Sequence, residues 1–155
     1  MKKEFFSKSP EDTKEIAKKI IEKIPNTKKA KILALTGDLG AGKTNFTQGV
    51  GEFLGVKRTI TSPTFVLMKK YKVDQEDQKY SNFFHLDCYR IHSKEELLDL
   101  GWSEMITKHE NLILLEWGER VKDILPEDTV WVIIDTKGKN KRKITVILKE
   151  DEPKK

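Results

Sequence analysis

Apolar positions along the chain change their period several times, and each change marks an element. Ile16, Ile20 and Ile24 recur every fourth residue with Ala17 and Ile21 beside them, which puts one apolar stripe of a helix against a core. Ser9, Pro10, Glu11 and Asp12 supply its start: an N-cap, a proline at the first helical position and acids in the first turn. Pro25-Asn26 ends it. Lys31 to Thr36 is a short apolar run before a glycine-rich turn and reads as a buried strand. After the turn, Phe46, Val50, Phe53 and Leu54 return to helical spacing, and Gly55 stands where a C-cap glycine would. Gly49 and Gly51 lower the propensity of that helix, which predicts that something packs closely against them.

Phe65, Leu67, Tyr71 and Val73 alternate with mostly polar neighbours, which predicts a strand, then a turn over 74–78 and a second strand ending at Asp87. Ser93-Lys94-Glu95-Glu96 has the form of a capping box opening a short helix that ends near Gly101. Asn111 to Glu116 is an apolar strand finishing in a carboxylate, and 129–135 with 143–149 form an antiparallel pair around Gly138-Lys139-Asn140. The succession predicts an α/β fold: a mixed, mostly parallel sheet, helices on both faces and a C-terminal antiparallel hairpin. A length of 155 residues suits one domain over 1–150, with 151–155 a charged, disordered tail.

Composition narrows the setting. The single Cys88 forms no internal disulfide and no Cys/His cluster accompanies it, so a reducing, cytoplasmic location is expected. No apolar run approaches the roughly 20 residues that cross a bilayer, and the N-terminus turns charged again too early for a signal core. The net charge of +5 is carried almost wholly by lysines interleaved with acids, the pattern of a solvated surface. Arginine occurs only at Arg58, Arg90, Arg120 and Arg142. The sequence offers neither a stacking platform nor a basic groove for direct RNA binding.

The chemistry begins at Gly37-x-x-x-x-Gly42-Lys43-Thr44, between an apolar strand and an amphipathic helix. Such a P-loop lets backbone N–H groups curl around phosphate oxygens at the positive end of a helix. Lys43 reaches the β- and γ-phosphates and Thr44 offers a hydroxyl to Mg²⁺. Asp87 and Glu116 finish two other strands, and ligands gather at the carboxyl ends of strands in doubly wound sheets. Ser62-Pro63-Thr64 reads equally as a switch loop sensing the γ-phosphate through Thr64 and as a plain surface turn. Trp117 either stacks on a base or partner or fills the core, the usual place for tryptophan. His85, inside an apolar strand, reads as a hydrogen-bonded core residue rather than a catalyst.

These blocks together resemble the TsaE family, also called YjeE, a P-loop NTPase family serving bacterial tRNA threonylcarbamoyladenosine synthesis. The matching segments are Gly37-Asp38-Leu39-Gly40-Ala41-Gly42-Lys43-Thr44, Ser62-Pro63-Thr64-Phe65, His85-Leu86-Asp87-Cys88-Tyr89-Arg90 and Glu116-Trp117-Gly118-Glu119, in the family's order over nearly the whole chain. The resemblance implies that Leu39, Gly40, Ala41, Gly42, Lys43 and Thr44 bind ATP and that Thr44 and Glu116 hold Mg²⁺. It implies Asp87 as a Walker-B-like acid, Lys43, Asp87 and Glu116 as the catalytic set, Thr64 in a switch-like loop and Trp117 at the edge of the site. It further implies a TsaB–TsaD heterodimer as partner, with tRNA reached only through that complex and no membrane involved. That pair transfers threonylcarbamoyl to the adenosine beside the anticodon, and ATP hydrolysis by the TsaE subunit resets it. Asn45 departs from the second threonine of many members. A small-molecule P-loop kinase and a non-hydrolysing nucleotide switch are the alternative readings; the kinase lacks an arginine-bearing lid in this sequence.

Overall fold

The computed structural model describes residues 1–25, 27–38, 40–61, 67–73 and 79–148. Leu39, the 62–64 segment with Thr64, the 74–78 turn and the 151–155 tail lie outside the described residues.

Strand β1 (Lys2–Ser7) leads into helix α1 (Pro10–Lys23). Ser9 caps that helix, its Oγ accepting the Asp12 N–H at 3.0 Å, with Pro10 in the first turn. Strand β2 (Lys31–Thr36) runs through the P-loop into helix α2 (Lys43–Leu54), which ends at Gly55 in the left-handed conformation. Strands β3 (Met68–Lys72) and β4 (Asn82–Asp87) follow, then the short helices α3 (Lys94–Leu98) and α4 (Trp102–Met105). Strand β5 (Asn111–Glu116), a 3₁₀ segment (Gly118–Ile124) and the hairpin β6 (Val130–Thr136) and β7 (Arg142–Ile147) complete the chain.

Among the described residues the sheet has the order β1-β7-β6-β2-β5-β4-β3. Its centre, β6-β2-β5-β4, is parallel, and antiparallel pairs close both sides. Strands β2, β5 and β4 are buried on both faces, so they alternate between two apolar clusters instead of between core and water. Leu33, Leu35, Leu112, Leu114 and Phe83 face the cluster under α1 and α2. Ile32, Ile113, Leu115, Phe84 and Leu86 face the opposite cluster, with Leu97, Trp102, Met105 and Val121. Helices therefore cover both faces, as the pattern predicts.

Three details differ from what the sequence predicts. Strand β1 was not predicted: it is held by pairing with β7 in a register of Lys2 opposite Ile147 through Ser7 opposite Arg142. The capping box at α3 is shifted, because Glu96 Oε2 accepts the N–H of His92 at 3.0 Å while the Ser93 side chain makes no cap bond. The chain then turns at Gly101 and forms α4 instead of stopping.

The glycines of α2 mark its closest crossing. A Cβ on Gly49 would lie 2.6 Å from the Lys14 carbonyl oxygen and 2.7 Å from the Lys14 Cα, both backbone atoms of α1. An alanine in mid-helix gains about 1 kcal/mol of propensity, but overpacking against rigid backbone costs about 1–3 kcal/mol. Gly49→Ala is therefore expected to lower the melting temperature by several degrees in a circular-dichroism melt; an unchanged or higher midpoint would contradict this crossing.

Candidate functional site

Because β2, β5 and β4 are parallel neighbours, their carboxyl ends meet on one rim. Leu35 lies opposite Glu116, and Glu116 opposite Asp87. Three of the sequence-predicted elements, the P-loop, Glu116 and Asp87, are thus brought together by strand register. Gly37 opens the loop where a side chain has no room, since its Cβ would sit 2.6 Å from the Ile134 carbonyl oxygen of β6. Gly40 and Gly42 take left-handed backbone, at φ of 79° and 100°, and Gly42 serves as N-cap of the 12-residue α2 without any capping side chain. The first amides of a helix have no partner within it, so this end points N–H donors and a positive dipole at whatever lies ahead.

Lys43, the first residue of α2, is only 6 % exposed. Its Nζ donates to the Gly37 carbonyl at 2.7 Å and stands 3.6 Å from the centroid of the Trp117 ring. Among the described residues no carboxylate forms an ion pair with it. Burial pulls its pKa below the ordinary 10.5, although Glu116, Glu119, Asp87 and Asp38 favour the charged form from a distance. This is a cation whose near contacts are a dipole and an aromatic face.

Glu116 ends β5 buried, and His85 Nε2 lies 3.0 Å from its Oε2. The reading of His85 as a hydrogen-bonded core residue thus matches its place, and the pairing adds that its partner is a site carboxylate. Asp87 is half-buried, and its Oδ1 accepts the Tyr89 N–H at 2.9 Å. Burial raises its carboxyl pKa, the Tyr89 N–H opposes that shift, and the negative charge of Glu116 adds to it. Cys88, between the acid and Tyr89, faces the core, and its thiol is pushed up to about 12, first by burial and then by Asp87 and Glu119.

Trp117 takes left-handed backbone at φ 60°, and its N–H donates to the Leu35 carbonyl at 2.9 Å. A non-glycine residue held there stores about 1–3 kcal/mol, and here the strain ties the end of β5 to the end of β2. Its ring is half-buried on the cluster below, lies 4.9 Å from the Tyr89 ring and covers Lys43. Trp117 is thus both a core residue and the wall of the site. Arg142 escaped the sequence reading: from β7 it donates to the Ala41 and Gly40 carbonyls of the loop at 2.8 and 3.2 Å. No local signal announces a contact spanning more than a hundred positions.

The donor set suits a magnesium polyphosphate. Backbone amides and a buried ammonium donate to phosphate oxygens, while Thr44, Glu116 and Asp87 offer hard oxygen ligands to a metal. Among the described residues no group of three His, Cys, Asp or Glu side chains forms a metal site by itself. Mg²⁺ commonly takes one or two protein ligands and completes its shell with phosphates and water, so a sparse set fits. Among the described residues no helix is long and apolar enough to cross a membrane.

The chain is similar to known proteins of one family. The family described as "Threonylcarbamoyl adenosine biosynthesis protein TsaE" matches residues 7–144. The tRNA threonylcarbamoyladenosine biosynthesis protein TsaE of Bacillus subtilis is 36% identical over 137 residues, covering 88% of this chain and 80% of that protein. Its counterpart from Rickettsia conorii is 38% identical over 148 residues, covering 93% and 77%. The crystal structure of Bacillus subtilis YdiB superimposes with a TM-score of 0.67 at 31% identity, over 94% of this chain and 84% of that one.

The Lys43 shift has a stability consequence with a definite sign. Its folded pKa lies below the unfolded one, so the charged ammonium costs stability at neutral pH, and the cost is relieved as pH rises through the folded pKa toward 10.5. Lys43→Met, similar in length and uncharged, is expected to melt no lower than the parent at pH 7 without nucleotide; a clear drop in midpoint would mean that the ammonium stabilises the fold.

Proposed function

The chain belongs to the TsaE family of threonylcarbamoyl adenosine biosynthesis proteins, and from that premise we propose that it is the ATP-binding and ATP-hydrolysing subunit of a tRNA-modifying assembly. The observation that carries this reading is the Lys43 ammonium, buried at the head of α2 between the Gly37 carbonyl and the Trp117 ring, with two carboxylate-bearing strand ends beside it. In this reading Gly40, Ala41, Gly42, Lys43 and Thr44 grip the phosphates of ATP. Leu39 and Thr64 join them on the strength of the sequence alone. Thr44 and Glu116 hold Mg²⁺, which would offset the negative charge on the phosphate oxygens.

The protein's own residues do the rest. His85 fixes the rotamer of Glu116 through the 3.0 Å contact, so the carboxylate is oriented before any metal arrives. Asp87, with its pKa raised by burial, is suited to accept a hydrogen bond from a water near the phosphates. Trp117 shields the ammonium from bulk water, which strengthens its hold on an anion. The proposed partner is a TsaB–TsaD heterodimer in the cytoplasm, reset by ATP hydrolysis, with tRNA meeting the chain only through that complex. The threonylcarbamoyl transfer itself belongs to the partners.

Lys43→Ala is expected to abolish ATP hydrolysis and support of tRNA modification while circular dichroism stays native. A Lys43→Ala strain with wild-type modification levels would defeat the ATPase reading. Glu116→Ala is expected to lower Mg²⁺-dependent turnover by about a hundredfold while nucleotide affinity falls by much less, an effect confined to the reacting state; turnover equal to the parent would remove Glu116 from the site. Purified TsaB–TsaD is expected to stimulate hydrolysis, and the absence of any stimulation would favour a passive nucleotide switch.

A further inference from the structure

Among the described residues, the hydrogen bonds of the Arg142 guanidinium, at the start of β7, all go to backbone carbonyls. Nε donates to Ala41 O at 2.8 Å and Nη2 to Gly40 O at 3.2 Å, both in the P-loop. Nη1 donates to Gly138 O at 3.2 Å and Lys141 O at 2.9 Å, both in the β6–β7 turn. Among the described residues no carboxylate pairs with it. Arginine has five N–H donors in a rigid fork, so one planar group bridges two segments remote in sequence.

The effect on the loop follows from peptide geometry. In a planar trans peptide the carbonyl and the next N–H point to opposite sides. The peptide joining Gly40 to Ala41 is held at both ends, its oxygen by Arg142 and its N–H on the Asp38 carbonyl at 3.0 Å. In the next peptide Arg142 holds the Ala41 oxygen, so the Gly42 N–H is directed away from the guanidinium. Gly42 sits at φ 100°, a conformation that glycine leaves easily when nothing holds it. The position a Cβ would take on Gly42 lies 3.8 Å from Arg142 Nε, so the clamp lies directly against it.

We infer that Arg142 is a positioning residue for phosphate binding, a splint that fixes the outer carbonyls of the P-loop and ties them to the β6–β7 turn. The guanidinium acts through the loop. Pre-ordering removes the entropy that a glycine-rich loop otherwise loses when it closes on an anion. The guanidinium also brings a positive charge to the outer carbonyls of the P-loop. A lysine at this position keeps the charge but not the fork, and cannot hold both carbonyls and the turn at once. This inference rests on the nucleotide-binding reading above, and the experiment separates the two.

Calorimetry with Mg-ATP and Mg-ADP, together with steady-state hydrolysis, would be run on the full chain as parent, Arg142→Ala and Arg142→Lys, each with and without ethylguanidinium. In Arg142→Ala, Kd and KM are expected to rise about tenfold, the scale of a lost charge-assisted contact, with kcat within about twofold of the parent. Ethylguanidinium is expected to restore affinity in Arg142→Ala and to leave the parent unchanged, a rescue that a generally loosened fold would not show. Arg142→Lys is expected to stay weakened while melting like the parent. The inference is overturned if Arg142→Ala binds as the parent does, or if it melts normally and ethylguanidinium restores nothing. Should Arg142→Ala not fold, Arg142→Lys decides: parental affinity there overturns the splint, and weakened affinity with a parental melt supports it. A parent chain that binds no Mg-nucleotide would defeat the ATPase reading itself, before the variants are compared.

Discussion

A buried ammonium must be answered by something polar, and what answers Lys43 sets the character of this molecule. Its close contacts, a carbonyl and the face of an indole, are neutral, while Glu116, Glu119, Asp87 and Asp38 act on it from farther away. Near neutrality with distant negative charge keeps the cation folded in yet leaves its strongest interaction unmade. The arrangement depends on the parallel centre of the sheet. In-register parallel strands finish on the same rim, so the chain delivers a lysine, two carboxylates and a tryptophan to one place without long excursions.

Much of this fold is legible where the information is local. Ser9 and Pro10 announce α1 because capping and fixed φ act within three residues, and Gly49 betrays a tight helix crossing because only a missing side chain admits the Lys14 backbone. What local reading misses is made by distant pairing. Strand β1 carries mostly exposed residues with no apolar face of its own, and only β7, at the other end of the chain, makes it a strand. The capping box near Ser93 names the right residues and the wrong acceptor geometry, since Glu96 reaches His92 instead.

The candidate site divides in the same way. The P-loop spacing identifies Lys43 and Thr44 directly, and an apolar run ending in an acid identifies Glu116 and Asp87, because strand ends are where such a sheet opens. His85 is legible as a buried polar residue but not as the partner of Glu116, since that contact crosses from β4 to β5. Trp117 invites a choice between core and site, and the left-handed turn at its backbone lets it do both. Arg142 is the residue least visible in advance, one basic residue among many in a lysine-rich hairpin.

The environment of Cys88 has a practical side. With its thiol pushed up to about 12 and its sulfur packed into the core, the only native cysteine stays protonated at ordinary working pH and resists alkylation and air oxidation. A single cysteine introduced on the surface would therefore take a maleimide dye without first deleting the native one. A dye at a chosen surface position could then report on an otherwise unaltered chain.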